Sequence, residues 1–164
     1  MNLMIKTFVV LLATSLVLTS CSKAVVSVSP AKAMAKTLTS INDTKWNFVN
    51  YSVNKLPASF EKRANIEFKN LTANSVQYSG RNFVNYYGGT LKVDEAQGLI
   101  IQEDANKGFS TMMASDEASM KAEADFFTNL AKTKFFEISG DKLLLYLGDK
   151  TDSKTEVMHF MKVN

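Results

Sequence analysis

Short runs of alternating apolar and polar residues, separated by turn residues, fill the chain from Lys45 onward. A period of two predicts strands with one buried face. Nine such runs are predicted strands: Trp46–Tyr51, Ala64–Phe68, Ser75–Ser79, Leu91–Val93, Leu99–Gln102, Phe109–Met113, Phe135–Ile138, Leu143–Leu147 and Glu156–Val163. Turn residues mark the predicted breaks: Gly80, Gly88-Gly89, Asp94 to Gly98, Gly140-Asp141 and Gly148-Asp149. Because the runs are short and closely spaced, we expect neighbouring strands to pair as antiparallel hairpins.

One segment, from Asp116 to Lys134, has helical periodicity instead. Its predicted apolar face consists of Met120, Ala124, Phe127, Leu130 and Ala131. Ser115 is the predicted N-cap, and the acidic residues that follow it suit the positive end of the helix dipole. An apolar stripe on a lone helix needs cover, so we expect this helix to lie on the concave face of the sheet. The predicted fold is therefore α+β: a mostly antiparallel, curled, half-barrel-like sheet packed around a single long α-helix.

The first twenty residues have the organisation of a secretory signal. Lys6 is their only charge, and an apolar and small-residue run extends from Phe8 to Leu18. A membrane span needs about 20 predominantly apolar residues, and polar residues flank this run too closely for that. We therefore predict that the chain is exported rather than threaded through the membrane.

The end of this leader, Leu18-Thr19-Ser20-Cys21, resembles the bacterial lipobox. The resemblance implies cleavage before Cys21, acylation of its thiol and new amino terminus, and a lipid-anchored protein of the cell envelope. Ser22 in the next position implies sorting to the outer membrane. Two or more acyl chains hold a protein firmly in a bilayer. The alternative is ordinary secretion with a free thiol, which is disfavoured because a lone cysteine is a liability in an oxidising compartment.

The composition changes after the leader. The segment from Ser22 to about Asn42 is rich in Ser, Ala, Val, Lys and Thr and has no aromatic residue, which is typical of a flexible tether. Such a tether spans on the order of 25 Å. The predicted organisation is thus a signal peptide over residues 1–20, an acylated cysteine and tether over residues 21–43, and one globular domain over residues 44–164.

Composition and charge limit the functions of this domain. Loss of Lys6 with the leader leaves 18 basic and 16 acidic residues, and this small positive charge argues against binding to nucleic acid. The chain is 46% hydrophobic, with eleven phenylalanines and a single cysteine. A packed core, rather than disulfides, must therefore stabilise the domain.

Several motifs in one order resemble the META domain family, which includes the heat-shock-inducible HslJ-type lipoproteins of bacterial envelopes. The motifs are Lys45-Trp46, Gly80-Arg81-Asn82, Tyr86-Tyr87-Gly88-Gly89, Ser110 to Ser115, Phe126-Phe127 and Gly140 to Leu143. The match extends from about Thr44 to Val163. It implies an antiparallel sheet curled partly around one helix and a stress-linked envelope role, with no established catalytic residues. Family members often have a cysteine pair where this chain has Arg81 and Ser115, so packing must replace any disulfide there.

Candidate catalytic and metal-binding residues are sparse. His159 is the only histidine, whereas a zinc site or a catalytic triad needs several converging groups. Carboxylates cluster at Asp94-Glu95, Glu103-Asp104, Asp116-Glu117 and Asp149 with Asp152. The stretch from Asp104 to Gly108 loosely resembles a calcium loop, but Ser115 occupies the position of the bidentate glutamate. We predict solvated turns and a helix cap for these carboxylates, and no catalytic residue, metal or cofactor.

Two further groups of side chains have alternative roles. The methionines at positions 112, 113, 120, 158 and 161 are candidate Cu(I) ligands, although core filling is the favoured interpretation. Phe83, Tyr86 and Tyr87 form an aromatic turn that is either a docking site or part of the core, and the core is favoured.

The leading hypothesis is a non-enzymatic, lipid-anchored envelope protein that acts as an interaction or stress-tolerance module. Its expected partners are the membrane, through acyl chains on Cys21, and an envelope protein. The alternative is a carrier that holds a small apolar ligand in a cavity between the curled sheet and the helix. An enzyme ranks third.

Overall fold

A computed structural model describes residues 40–101 and 108–163. This part of the chain has nine strands, one single-turn 3-10 helix at Ala58–Phe60 and one α-helix, α1, at Glu117–Lys132. The strands are β1 Thr44–Tyr51, β2 Asn65–Lys69, β3 Ser75–Asn82, β4 Asn85–Asp94, β5 Leu99–Ile101, β6 Phe109–Ser110, β7 Phe135–Ser139, β8 Lys142–Tyr146 and β9 Val157–Lys162. Every predicted strand is present, and every pairing between strands is antiparallel, as expected.

Eight of the strands form a closed barrel. Their order is β3-β2-β1-β9-β8-β7-β5-β4, and β4 pairs back with β3 from Ser75↔Lys92 to Asn82↔Asn85. The short strand β6 adds to β4 beside Tyr87 and Gly88. Closure gives each of these eight strands a neighbouring strand on both sides, which reduces the exposed edge available for edge-to-edge association.

The prediction of an open, curled half-barrel packed around a long helix is wrong, because the sheet closes into a barrel. The sheet closes because β1, the first strand, pairs with β9, the last, with Phe48 opposite Phe160. An eight-stranded barrel has an interior just wide enough for side chains. A helix cannot fit inside such a ring, so α1 does not lie within the sheet.

The helix instead covers one end of the barrel. Asn82 and Asn85, on either side of the β3–β4 turn, both donate hydrogen bonds to Glu123 of α1. Arg63, just before β2, donates from Nη2 to the hydroxyl of Ser119 at 2.9 Å. Because β3 ends where β2 and β4 begin, these contacts place α1 across a single end.

The buried face of α1 differs from the predicted one. The buried residues are Ser119, Ala122, Glu123, Phe126 and Leu130. Of the predicted face, only Leu130 is buried; Phe127 is half-buried, and Met120, Ala124 and Ala131 are exposed. The prediction failed because it assigned apolar residues to the buried face, whereas Ser119 and Glu123 are buried against polar partners.

The start of α1 also differs by one residue from the prediction. Asp116, not Ser115, is the N-cap: its carboxylate accepts hydrogen bonds from the Ser119 amide at 2.9 Å and the Ser119 hydroxyl at 2.7 Å. At the other end the helix stops at Lys132, before the predicted Lys134.

Two predicted breaks fall inside strands. Gly80 lies within β3, and Gly88-Gly89 lie within β4. A Cβ on Gly80 would be 2.1 Å from the carbonyl oxygen of Asn65, and one on Gly88 would be 2.7 Å from the ring of Phe109. These glycines therefore permit close packing within the sheet rather than a turn. The predicted strand Phe109–Met113 ends early, at Ser110.

An aromatic cluster fills the barrel at the end that α1 covers. The ring of Phe126 lies 5.4 Å from that of Phe48, 5.8 Å from Tyr87, 6.1 Å from Phe83 and 6.4 Å from Phe160, all in edge-to-face geometry. Such pairs add to the free energy gained from burial alone. Phe126 therefore joins α1 to strands on several sides of the ring.

The barrel interior elsewhere is also packed with side chains. Ile41 and Trp46 are fully buried, and the amide of Ile41 donates to the Glu95 carboxylate at 2.8 Å. The packed part of the chain therefore includes residues that precede β1.

We expect Phe126→Ala to lower the free energy of unfolding by about 3–5 kcal/mol, because it removes the ring that joins helix and barrel and leaves a cavity. Urea denaturation followed by circular dichroism measures the change. The control is Met112→Ala, because Met112 is 99% exposed and its truncation should change stability little. Equal effects of the two substitutions would show that Phe126 does not anchor the helix.

The Asp116 cap predicts a dependence of stability on pH. Hydrogen bonds from the Ser119 side chain and amide lower the pKa of Asp116 from 3.8 to about 2. A lowered pKa in the folded state means that the stabilisation is present above the unfolded-state pKa and is lost as the pH falls towards 2. Asp116→Asn keeps a capping side chain but cannot titrate, so the melting temperature of the wild type should fall more steeply than that of the variant in this acidic range. Parallel curves for the two proteins would contradict the assignment.

Candidate functional site

Two exposed aromatic side chains, Tyr86 of β4 and Phe109 of β6, are neighbours on the outer surface of the barrel. Phe109 is the cross-strand partner of Gly88. Residues 86 and 88 of β4 lie on the same face of the sheet, because they are two positions apart in one strand. Diagonal neighbours of this kind are about 7–8 Å apart. Tyr86 is 56% exposed and Phe109 63% exposed. Adjacent exposed rings on a polar surface are typical of a binding site.

The position of Phe109 depends on Gly88. The ring occupies the space that a side chain at residue 88 would need, since a Cβ there would be 2.7 Å from a ring carbon. One part of the ring thus packs on the backbone of β4 while the rest faces solvent. Thr111 holds the following segment in place, because its amide donates to the Tyr86 carbonyl at 2.9 Å and its hydroxyl accepts from the Tyr86 amide at 3.0 Å.

A concave surface extends from these rings across β2 and β3. It consists of two adjoining depressions of about 340 and 400 Å³, and Glu67, Ser79 and Phe109 line both of them. We call this surface the outer groove. Small residues, Ser79, Gly80 and Gly89, are part of its lining, which gives a ligand access to the sheet.

The outer groove is rich in positive charge. Lys69 forms an ion pair with Glu67 at 2.9 Å. Lys45 and Arg81 line the groove as well, and neither side chain has a carboxylate partner within residues 40–101 and 108–163. Arg81 is the cross-strand partner of Tyr86, so a cation lies beside one of the exposed rings.

The predicted aromatic turn is divided between the core and this surface. Phe83 and Tyr87 are almost fully buried, so the favoured core interpretation is confirmed for both. Tyr86 is exposed and belongs to the outer groove. Sequence analysis did not assign a binding role to Phe109. The only signal was a glycine in β4, and its position opposite Phe109 follows from a strand pairing that the sequence does not specify.

His159 is not placed as a catalytic base. It lies half-buried in β9, opposite Leu144 of β8 and Asn50 of β1. Burial lowers the pKa of His159 and so favours the neutral imidazole; Glu156 acts in the opposite direction, and Lys142 and Lys55 add to the lowering. No hydrogen bond joins the imidazole to a carboxylate of the described residues.

Four of the clustered carboxylates hold turns or the helix cap, as predicted. Each of the four accepts a hydrogen bond from a backbone amide: Asp94 from Gln97, Asp116 from Ser119, Asp149 from Thr151 and Asp152 from Lys154. Glu95 differs from the prediction, because it accepts from the amide of Ile41, far away in the chain. Burial acts to raise the pKa of Glu156, but hydrogen bonds from Ser52, Val53 and Asn54 outweigh it and lower that pKa. Glu103 and Asp104 lie outside the described residues. Across residues 40–101 and 108–163, no group of three His, Cys, Asp or Glu side chains is arranged to hold a metal ion.

The methionines contradict the core-filling interpretation in four of five cases. Met158 is fully buried, whereas Met112, Met113, Met120 and Met161 are exposed. Met112 and Met113 follow β6, so they add apolar surface near Phe109.

The buried carboxylate of Glu123, whose burial the sequence did not predict, is connected through Asn85 to the segment that follows Phe109. Glu123 is only 6% exposed, and the Asn85 amide donates to both of its oxygens, at 2.9 and 3.0 Å. The side-chain oxygen of Asn85, Oδ1, accepts hydrogen bonds from the Met113 amide at 2.7 Å and the Thr111 hydroxyl at 2.8 Å. Asn85 thereby connects α1 to the segment that follows Phe109.

Other predicted features fall outside the described segments. Cys21 and its acylation lie in residues 1–39, so the lipid anchor stays a prediction. Within the described residues, no helix combines the length and hydrophobicity that a membrane span requires. The aromatic cluster around Phe126 occupies the space between helix and strands that the carrier alternative needs for a ligand.

The fold and surface define a small closed antiparallel barrel with a helix over one end and a polar, aromatic-edged groove on its outside. The family model of the META domain matches residues 37–163, and the chain belongs to this family.

The chain was also compared with solved structures. The NMR structure of a protein from Burkholderia xenovorans is 14% identical, covers 76% of this chain and 84% of its own, and has a TM-score of 0.55. A crystal structure of a DUF4847 family protein from Bacteroides vulgatus is 15% identical, covers 74% of this chain and 93% of its own, and has a TM-score of 0.46. At this identity the first shows a likeness of fold alone. No curated protein matches the sequence.

The Asn85–Glu123 contact predicts that Asn85→Asp lowers stability by an amount that depends on pH. Asn85→Asp replaces the donor with a second carboxylate, and one uncompensated buried charge costs about 3–5 kcal/mol. The repulsion raises the folded-state pKa of the pair above the unfolded value, so stability should be higher at low pH and fall as the pH rises. Urea denaturation at pH 4.5 and pH 7 compares the variant with the wild type. The control, Asn85→Ala, removes the donor without adding a charge and should lose stability with less dependence on pH.

Proposed function

We propose that this chain is a non-catalytic binding module of a bacterial cell envelope, and that its outer groove receives the partner. The observation that carries the proposal is the pair of exposed rings, Tyr86 and Phe109, in a concave surface beside Lys45 and Arg81, which form no ion pair with any carboxylate of the described residues. Aromatic rings and Arg are the side chains most often found at the energetic centre of an interface. The rings are held by strand pairing, so little conformational entropy is lost when a partner binds.

The chemistry of the other polar groups favours binding over catalysis. The carboxylates that a hydrolase would need as acid and base hold turns, the helix cap and Asn85. Among residues 40–101 and 108–163, no carboxylate forms a hydrogen bond with His159 that would orient it. The groups that face the outer groove supply hydrogen bonds and positive charge, which serve recognition.

The envelope location rests on the leader. The lipobox-like Leu18-Thr19-Ser20-Cys21 supports acylation of Cys21, and the tether supports a domain held some distance from an outer membrane. The stress-tolerance role rests on resemblance to the HslJ-type lipoproteins of the family.

The anchor can be tested by expressing the full chain in a bacterium that processes lipoproteins. We expect mass spectrometry of the mature protein to find an acylated Cys21 as the first residue. Cys21→Ser should leave the leader attached and abolish the acyl mass. Recovery of a wild-type protein with an unmodified residue 21 would refute the anchor.

The binding role can be tested by site-specific photocrosslinking in intact cells. A photoreactive aromatic residue at position 86 or 109 of the full chain should give a discrete adduct with an envelope component. The same residue at position 53, where exposed Val53 lies outside the groove, should not. Adducts of equal yield at all three positions, or at none, would show that the groove receives no partner.

The stress role needs a separate measurement. A strain without the protein should survive heat less well. The double variant Tyr86→Ala and Phe109→Ala should fail to restore survival, whereas Val53→Ala should restore it. Full rescue by the double variant would separate the stress role from the groove.

A further inference from the structure

We infer that the outer groove binds an acidic glycan strand of the cell wall, with sugar rings stacked on Tyr86 and Phe109 and carboxylates paired with Lys45 and Arg81. This inference rests on the proposed function, because it names the partner of the same groove.

The shape of the surface favours an elongated ligand. Successive cross-strand partners form one row on the outside of the barrel: Lys45, Glu67, Ser79, Gly88 and Phe109. The row crosses five strands, so it is about 19 Å long at a spacing of roughly 4.8 Å between strands. The two depressions lie on opposite sides of this row: the one of about 400 Å³ extends from Lys45 to Tyr86, and Glu67, Ser79 and Phe109 line both. A row of this length suits a linear chain of several units rather than one compact small molecule.

The side chains in and beside the row suit a sugar ligand. Ser79 is small, so the ligand can approach the sheet there, next to the Phe109 ring that covers Gly88. The exposed ring faces carry partial negative charge that attracts the C–H-rich faces of sugar rings. Amide side chains at Asn65 and Gln77 line the groove and can both donate to and accept from hydroxyl groups.

The charges in the groove favour an acidic ligand. Lys69 is neutralised by Glu67, but Lys45 and Arg81 have no carboxylate partner among the described residues. Two unpaired cations in one groove favour an anionic ligand, and Arg can bind a carboxylate with two parallel hydrogen bonds. Because Arg81 is the cross-strand partner of Tyr86, one unit that has both a sugar face and a carboxylate can contact both residues.

Orientation separates a glycan from an extended peptide. A peptide that adds to a sheet lies parallel to the edge strand, which here is β6. The outer groove instead runs across the strands, nearly perpendicular to β6, and offers side chains rather than a row of backbone groups. These features favour the glycan over a peptide partner.

The test uses the full-length acylated protein in detergent micelles and three probes. The first is peptide-free cell-wall glycan, whose lactyl carboxylates are free; the second is a neutral chitin oligosaccharide of equal length. The third is an acidic extended peptide. We expect titration calorimetry to show binding of the acidic glycan. The affinity for the neutral oligosaccharide should be lower by about tenfold or more. No comparable binding of the peptide is expected.

Matched variants assign this binding to the groove. Phe109→Ala, Tyr86→Ala and Arg81→Glu should each weaken glycan binding by about tenfold or more. The controls Val53→Ala and Lys154→Glu change exposed residues outside the groove and should leave it unchanged. Thermal unfolding of each variant confirms that the fold is intact. Higher salt should weaken binding to the acidic glycan more than binding to the neutral one.

Three results would overturn the inference: equal affinity for the acidic and neutral glycans, preference for the peptide, or binding that the groove variants do not change. If photocrosslinks form at positions 86 and 109 in cells but the purified protein binds no glycan, the inference fails while the proposed function stands. If the crosslinks are also absent, both fail.

Discussion

Pairing of β1 with β9 closes the barrel, and the remaining structure depends on that closure. An eight-stranded ring encloses only enough room for side chains, so the helix is excluded from the interior and covers one end. Phe126 then fills the end of the barrel through contacts with rings from several strands. Closure also leaves the outer faces of the strands as the main surface for recognition.

A buried polar contact joins this core to the surface. A carboxylate in the position of Glu123 is costly to bury unless it is hydrogen-bonded. Asn85 satisfies it and uses its other amide atom to hold the segment after β6. The same few atoms therefore set the position of α1 and of the chain next to Phe109. This dual role explains why a polar residue occupies the buried face of the helix.

The outer groove depends on a glycine in the middle of a strand. Glycine weakens a strand because it loses more conformational freedom and packs no side chain. At residue 88 its small size lets the Phe109 ring lie on the backbone, so part of the lost packing is regained while the ring stays exposed. A stable barrel can thus present a rigid aromatic side chain without placing it on a flexible loop.

The sequence alone determined the elements whose signals are local. Alternation predicted all nine strands, helical spacing predicted α1, and the ordered motifs predicted the META domain family. Only the tertiary structure decided that β1 meets β9, that α1 turns its Phe126 and Glu123 face inward, and that Phe109 lies over Gly88. These features depend on pairing between residues far apart in the chain. Their register is set by packing of the whole domain, and no short segment of sequence contains that information.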